Sequence, residues 1–296
     1  MSARAATRRG RSAGPVRVIA AFTLRESLRR RVFLVVALLT VAFLALYGLG
    51  TWQLYRDVDQ VGGNQLGVEP DVIVGATLLG LAMFGTLFLG TVLAVFLTLG
   101  AVRGDAERGL LQPLLVRPVS RATLLLGRYS AAAGVCALYV AAVFLGATLI
   151  TWAMGGWWPD HVLGPALGLM LAVAILAALS LAGSVFLSAT ANGIAVFMVF
   201  GAGLVAGLLG QIGEALSSGT LQNVAKVASW ALPFEGLYQA ALSALTSDTV
   251  GFTRLAIDLG PFGGAQSGGP ALWVWALLYL AGVGAWALRG FGRRDL

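Results

Sequence analysis

The chain has 296 residues, of which 58% are hydrophobic and 11% charged, with a mean hydropathy of +0.85. A soluble domain carries about 25% charged residues, so the composition excludes an ordinary soluble fold and defines an all-α integral membrane protein. The net charge of +7 does not require nucleic acid, because arginine excess in a membrane chain marks its cytoplasmic face.

Residues 1–15 are rich in Arg, Ala and Ser and are expected to be a disordered cytoplasmic tail. Residues 16–31, VRVIAAFTLRESLRRR, read as a lead-in helix. Its apolar residues form no single clean stripe, so it either lies at the interface or serves only to fix topology. The next apolar run is too long for a signal-peptide core and lacks a small-residue cleavage pattern, which favours an uncleaved first span.

Crossing a bilayer takes about 20 apolar residues. Six runs meet this within a single membrane domain of residues 32–296: Val32–Gly50, Val72–Val102, Thr123–Trp152, Val162–Ala189, Ile194–Gly210 and Ala271–Leu288. The second would measure roughly 46 Å as a straight helix and should tilt or project from the membrane. The fifth is the shortest and holds Gly203 and Gly207 as a GxxxG pair, which permits close helix contact within the chain or between copies.

Six spans put both termini on one side. That side then holds 17 of the 20 Lys and Arg residues and 4 of the 13 acids, so it is read as cytoplasmic. On the outer side, Thr51–Asp71 is acidic, contains GGNQLG and is expected to be irregular. The long outer segment Gln211–Pro270 contains PFEGLYQAALSAL, with Phe234, Leu237, Tyr238, Ala241, Leu242 and Leu245 at helical spacing. This predicts an amphipathic helix on the outer surface, gate-like in position, with Pro233 in its first turn and Glu235 at its amino terminus. Leu221–Trp230 reads as a partner helix, and Trp52, Trp152, Trp157, Trp158 and Trp273 fall at outer span ends as interfacial anchors.

Several chemistries find no support. A phosphate-binding loop needs GxxxxGK[ST], and the single lysine, Lys226, stands in NVAKVAS. Ion-coupled transporters place acids or histidines inside spans, whereas all 13 acids here fall in loops, tails or span ends. One histidine, His161, in a short loop, and one cysteine, Cys136, in an apolar run, leave no metal or nucleophile constellation. No catalytic residue, metal or cofactor is expected on this chain.

The segment between the second and third spans, RGDAERGLLQPLLVRPVSRATLLLGR, is unlike its flanks. Arg103–Leu115 could form a short amphipathic helix with Asp105 and Glu107 in its first turn, ended by Pro113 or Pro118. Physics alone leaves two readings open: a rod that docks into a groove on a soluble partner, or a connector whose arginines meet lipid phosphates.

Glu107-Arg108-Gly109-Leu110, Leu114-Leu115, Arg117-Pro118-Val119-Ser120-Arg121 and Gly127-Arg128 resemble the loop between the second and third spans of ABC transporter permeases of the type-2 exporter class. Leu110 stands where that family usually has Thr, and Arg128 where it has Lys. The six spans, the basic lead-in and the outer insertion resemble the same family.

The resemblance implies a coupling helix seated on a cytoplasmic ABC ATPase. Arg103, Asp105, Glu107, Arg108, Gly109, Leu111, Leu114, Arg117 and Arg121 would form the partner surface, with Glu107 in an ion pair and Leu111 and Leu114 in the groove. It further implies two ATPase copies that supply ATP and Mg, a second copy of this chain or a close relative, and a substrate route along the interface of the two. An ATP-independent carrier or channel, and a force-transmitting scaffold in envelope assembly, are the alternatives.

Overall fold

The computed structural model describes residues 31–61, 70–99, 120–247 and 268–293. Within them are eight α-helices: α1 Arg31–Val61, α2 Pro70–Thr98, α3 Arg121–Gly155, α4 Leu163–Phe186, α5 Ala189–Ala215, α6 Gly219–Ala231, α7 Pro233–Ser243 and α8 Gly269–Gly292. Six of them are long and apolar enough to cross a membrane: α1 to α5 and α8. The described residues contain no strand.

Helix ends follow local chemistry where the chain supplies it. Ser120 caps α3, its Oγ accepting from the Thr123 amide at 3.1 Å. At the other end Gly156 takes a left-handed φ of 68° and its amide closes on the Trp152 carbonyl at 2.9 Å. Pro233 starts α7 at a position where its missing N–H costs nothing.

The six long helices run alternately up and down. Thr40 and Tyr47 of α1 bond to Tyr139 and Thr151 of α3, so these two helices are parallel. Gly90 of α2 faces Val140 while Gly75 faces Trp157 just beyond α3, so α2 and α3 are antiparallel. The connection from α4 to α5 takes only Leu187 and Ser188. Arg31 and Arg293 consequently share one end of the bundle with Thr98 and Arg121, the two residues that lead into and out of 100–119. The α6–α7 hairpin sits at the other end.

α4 is the centre of the molecule and packs on α2, α3, α5, α7 and α8. Leu169, Val173, Ile175, Leu176 and Leu181 of α4 are buried, with Leu87, Met83, Phe144 and Leu237 around them. α1 is the reverse case, with Leu34, Leu38, Val41, Leu46 and Leu49 all more than 60% exposed. In water a face of this kind would oppose folding at about 25 cal/mol per Å²; against lipid tails it costs nothing, and the helix can stay long and apolar.

Threonine hydroxyls within the spans are satisfied inside the bundle. The hydroxyls of Thr51, Thr86, Thr91, Thr148 and Thr151 bond back to carbonyls four residues earlier, as a hydrocarbon setting demands. One polar knot joins three helices: Thr98 Oγ1 of α2 lies 2.6 Å from Ser180 Oγ of α4, and Asn192 Nδ2 of α5 donates to the Ser180 carbonyl at 2.8 Å.

Three helix boundaries depart from the sequence reading. α1 continues through Thr51–Val61, which the acidic content assigned to an irregular outer loop. Tyr55 holds this extension: it is buried, its ring packs on Gly155, and its hydroxyl donates to the Asp71 carbonyl at 3.2 Å. α5 starts at Ala189, not at Ile194, because Asn192 is a buried helical residue bonded to α4 and not part of a turn. α2 ends at Thr98, four residues short of the apolar run.

Candidate functional site

Most of the residues singled out between the second and third spans lie outside the described residues: Arg103, Asp105, Glu107, Arg108, Gly109, Leu111, Leu114 and Arg117. Arg121 opens α3, and its side chain also lies outside them. The described structure therefore bears on this segment through its attachment points. Below them, Leu125 of α3 packs with Leu181 and Val185 of α4 and with Ala287 and Phe291 of α8. Beside this cluster Phe186 and Trp286 stack at 4.7 Å. A cavity of about 560 Å³ opens there, lined by Phe186, Trp286, Arg289, Gly290 and Arg293.

At the opposite end the structure assembles a second set. The stripe of α7 points into the bundle: Phe234, Leu237, Tyr238, Ala241 and Leu242 are all buried. The Leu237 carbonyl and the Ala241 methyl lie over Gly168 of α4, 3.3 Å from where a side chain would start. The expectation of a helix lying on the outer surface thus meets a helix wedged among α4, α5 and α8, because a stripe this apolar gains more from core burial than from the interface.

The GxxxG pair makes that wedge possible. A Cβ on Gly203 would stand 2.5 Å from the Phe234 ring, and one on Gly207 would overlap Glu235 Oε1. Both glycines therefore serve packing of α5 on α7 within one chain. Phe234 is held from the other side by Phe200, stacked at 6.1 Å and 19°.

Glu235 stands in the first turn of α7, where the sequence reading puts it and where the helix dipole favours an acid. In the structure it is 1% exposed. Gln239 Nε2 donates to its Oε1 at 2.8 Å, while Glu235 Oε2 and Gln239 Oε1 are buried with no hydrogen-bond partner among the described residues. Burial pushes the Glu235 carboxyl up to about 7, against the lowering effect of the Gln239 bond. Tyr238 beside it is raised as well, by burial first and by the Glu235 charge second. The signal was present in the sequence: Glu235 and Gln239 are one turn apart at the edge of an apolar stripe, where one polar pair accompanies the buried face.

These two side chains line a cavity of about 430 Å³ between α5, α6, α7 and the start of α8. Gln211 and Gly207 contribute from α5, Gln222, Lys226 and Ser229 from α6, and Gly268 and Leu272 from the far wall. Gln222 fixes α6 to α5 by donating to the Gly213 carbonyl at 3.1 Å. Trp275 of α8 donates its indole N–H to the Trp230 carbonyl at 2.8 Å and closes the other side.

Elsewhere, Cys136 is buried and unpaired, and His161 is an exposed loop residue with Nδ1 2.7 Å from the Asp160 carbonyl. Among the described residues no group of His, Cys, Asp and Glu is placed to hold a metal ion.

Six membrane-crossing helices with α4 at their centre, their threonine hydroxyls bonded within the bundle, define an integral membrane protein. The chain belongs to the ABC-2 family transporter proteins, whose family model matches residues 17–296. It is thus a membrane component of an ABC-2 type transporter, a family whose membrane subunits lack an ATPase site of their own and work with an ABC ATPase. Comparison with curated proteins gives no match.

Proposed function

We propose that this chain is the permease subunit of an ATP-driven export system, and that two copies work with two separate cytoplasmic ABC ATPases. ATP and Mg bind the ATPase subunits, and Arg103–Arg121 carries their closure into the membrane helices. The observation that carries the reading is the family match over 17–296, which takes in this segment together with all six long helices. Glu107 forms the ion pair with the ATPase, and Leu111 and Leu114 fill its groove. The termini and this segment face the cytoplasm, on the side where 17 of the 20 basic residues gather.

The frame of the bundle supports this direction of force. The segment hangs between α2 and α3, and the Thr98–Ser180–Asn192 knot ties the end of α2 to α4 and α5. A push on the segment reaches the central helix through a few ångströms of hydrogen-bonded contact and not through a loose tether. The α6–α7 hairpin, with Phe234, Leu237, Tyr238 and Leu242 locked on α4, acts as the gate at the far end.

Co-expression with an ABC ATPase encoded beside the chain, followed by purification and stoichiometry, tests the proposal. A two-plus-two assembly with ATPase activity is expected, and Glu107→Arg should cut the coupled ATPase rate at least tenfold while the helical content stays unchanged. Purification as a folded chain that binds no such ATPase would transfer the reading to an ATP-independent carrier. Wild-type coupling in Glu107→Arg would remove Glu107 from the mechanism.

A further inference from the structure

The cavity beneath the α6–α7 hairpin lies at the end of the bundle away from Thr98 and Arg121, and its chemistry is selective. Glu235 and Gln239 line it, joined by the Gln239 Nε2 bond to Glu235 Oε1, and each keeps a buried acceptor oxygen without a donor among the described residues. Their complement is a group that carries positive charge and several N–H bonds. A primary ammonium has three; a trimethylated ammonium has none. Among the described lining residues Lys226 is the one cation, exposed on α6 and suited to an anion.

The volume, about 430 Å³, falls within the roughly 300–1,000 Å³ of small-molecule sites. The surroundings give a depth. Trp230, Trp275 and Tyr279 form a contiguous aromatic group beside the cavity, with centroids 5.9 and 6.3 Å apart. Amphipathic rings of this kind gather at the level of lipid headgroups.

We propose that this cavity binds a phosphoethanolamine group, with the ammonium at the Glu235–Gln239 pair and the phosphate toward Lys226. Two sources share this chemistry, the headgroup of an ethanolamine phospholipid and a soluble phosphoethanolamine compound. The proposal concerns binding and stands apart from coupling by an ATPase.

Thermal unfolding of the full-length protein in detergent, titrated with dihexanoyl phosphatidylethanolamine, dihexanoyl phosphatidylcholine and phosphoethanolamine, tests it, since a ligand that binds only the folded state raises Tm by mass action. The ethanolamine lipid should give a saturable rise, and the choline lipid at least tenfold weaker binding. Glu235→Gln should weaken the ethanolamine response at least tenfold, about 1.4 kcal/mol, and Lys226→Ala should weaken it severalfold. An equal response to phosphoethanolamine identifies a soluble source, and a response confined to the lipid identifies the headgroup. Equal responses to the two lipids, no response to any of the three probes, or full affinity in Glu235→Gln would each overturn the proposal. The comparison of lipids on the wild-type chain decides the matter even if Glu235→Gln fails to fold.

Discussion

Three alanine substitutions on one helix separate the packing of α5 on α7 from every other role of its glycines. Gly201 has open space around its missing side chain, Gly203 faces the Phe234 ring at 2.5 Å, and Gly207 faces the end of the Glu235 side chain. The Phe234 ring is fully buried and stacked on Phe200, so it has nowhere to go, and Gly203→Ala must push α5 and α7 apart. Overpacking of this type costs about 1–3 kcal/mol, offset by at most ~1 kcal/mol from the better helix propensity of Ala.

At Gly207 the carboxylate can swing into the adjoining cavity. The main loss is then the Gln239 hydrogen bond, about 1.5–3 kcal/mol for a charged group, and re-solvation recovers part of it. Gly201→Ala carries no penalty and should be neutral or slightly stabilising. The expected order of Tm is therefore Gly201→Ala at or above wild type, Gly207→Ala a few degrees below, and Gly203→Ala lowest by roughly 4–10 °C. Thermal unfolding followed by circular dichroism in detergent reads all three. Equal Tm for Gly203→Ala and Gly201→Ala would refute the packing argument and return the GxxxG pair to a contact between copies.

Two further outcomes follow from the described contacts. Glu235 has a folded-state pKa of about 7 against 4.5 for a free carboxyl, so between these values the folded state binds the extra proton and stability falls as pH rises, the reverse of the common carboxylate case. Among the described residues the charged and titratable groups around it are Lys226 and Tyr238. Wild-type Tm should be higher at pH 5 than at pH 8, by at most about 3 kcal/mol in stability, and the difference should shrink in Glu235→Gln; an identical pH profile in both proteins would exclude a buried titrating Glu235. At the other end of the bundle, Thr98→Val keeps shape and removes the bond to Ser180, which should cost about 0.6–1.7 kcal/mol in the membrane setting, read as a drop of a few degrees in Tm.

The six spans were legible because each is a continuous apolar run, and composition decides membrane insertion almost residue by residue. Their ends were less so. The extension of α1 through Thr51–Val61 contains Arg56, Asp57 and Asp59, and by composition it belongs in a loop. What keeps it helical is Tyr55 against Gly155, a contact 100 residues away in the chain and invisible to any local pattern. The start of α5 behaves alike: Thr190–Gly193 has the residue types of a turn, but Asn192 finds Ser180 on the preceding helix.

The α7 stripe shows the same limit at the level of function. Helical spacing identified its apolar face correctly, and what covered that face was left to a general rule that short amphipathic helices lie on membrane surfaces. Gly203 and Gly207 overrode the rule. By removing two side chains from α5 they open a slot one aromatic ring and one carboxylate wide, and Phe234 and Glu235 occupy it side by side.

A carboxylate is expensive to bury, and that cost is informative. If α7 needed only to be anchored, an apolar residue at 235 would fill the slot beside Gly207 with no desolvation penalty and no orphaned oxygen. The chain instead places an acid with an upward-shifted pKa there, bonds one of its oxygens to Gln239, and leaves the other without a donor among the described residues, on a side chain that lines a cavity. Groups desolvated at such a cost concentrate at functional sites, and the cavity lies between the helices that join α5 to α8. Anything that binds Glu235 also bears on how α7 sits on α4, so occupancy of the cavity and the position of the hairpin are linked by the same few contacts.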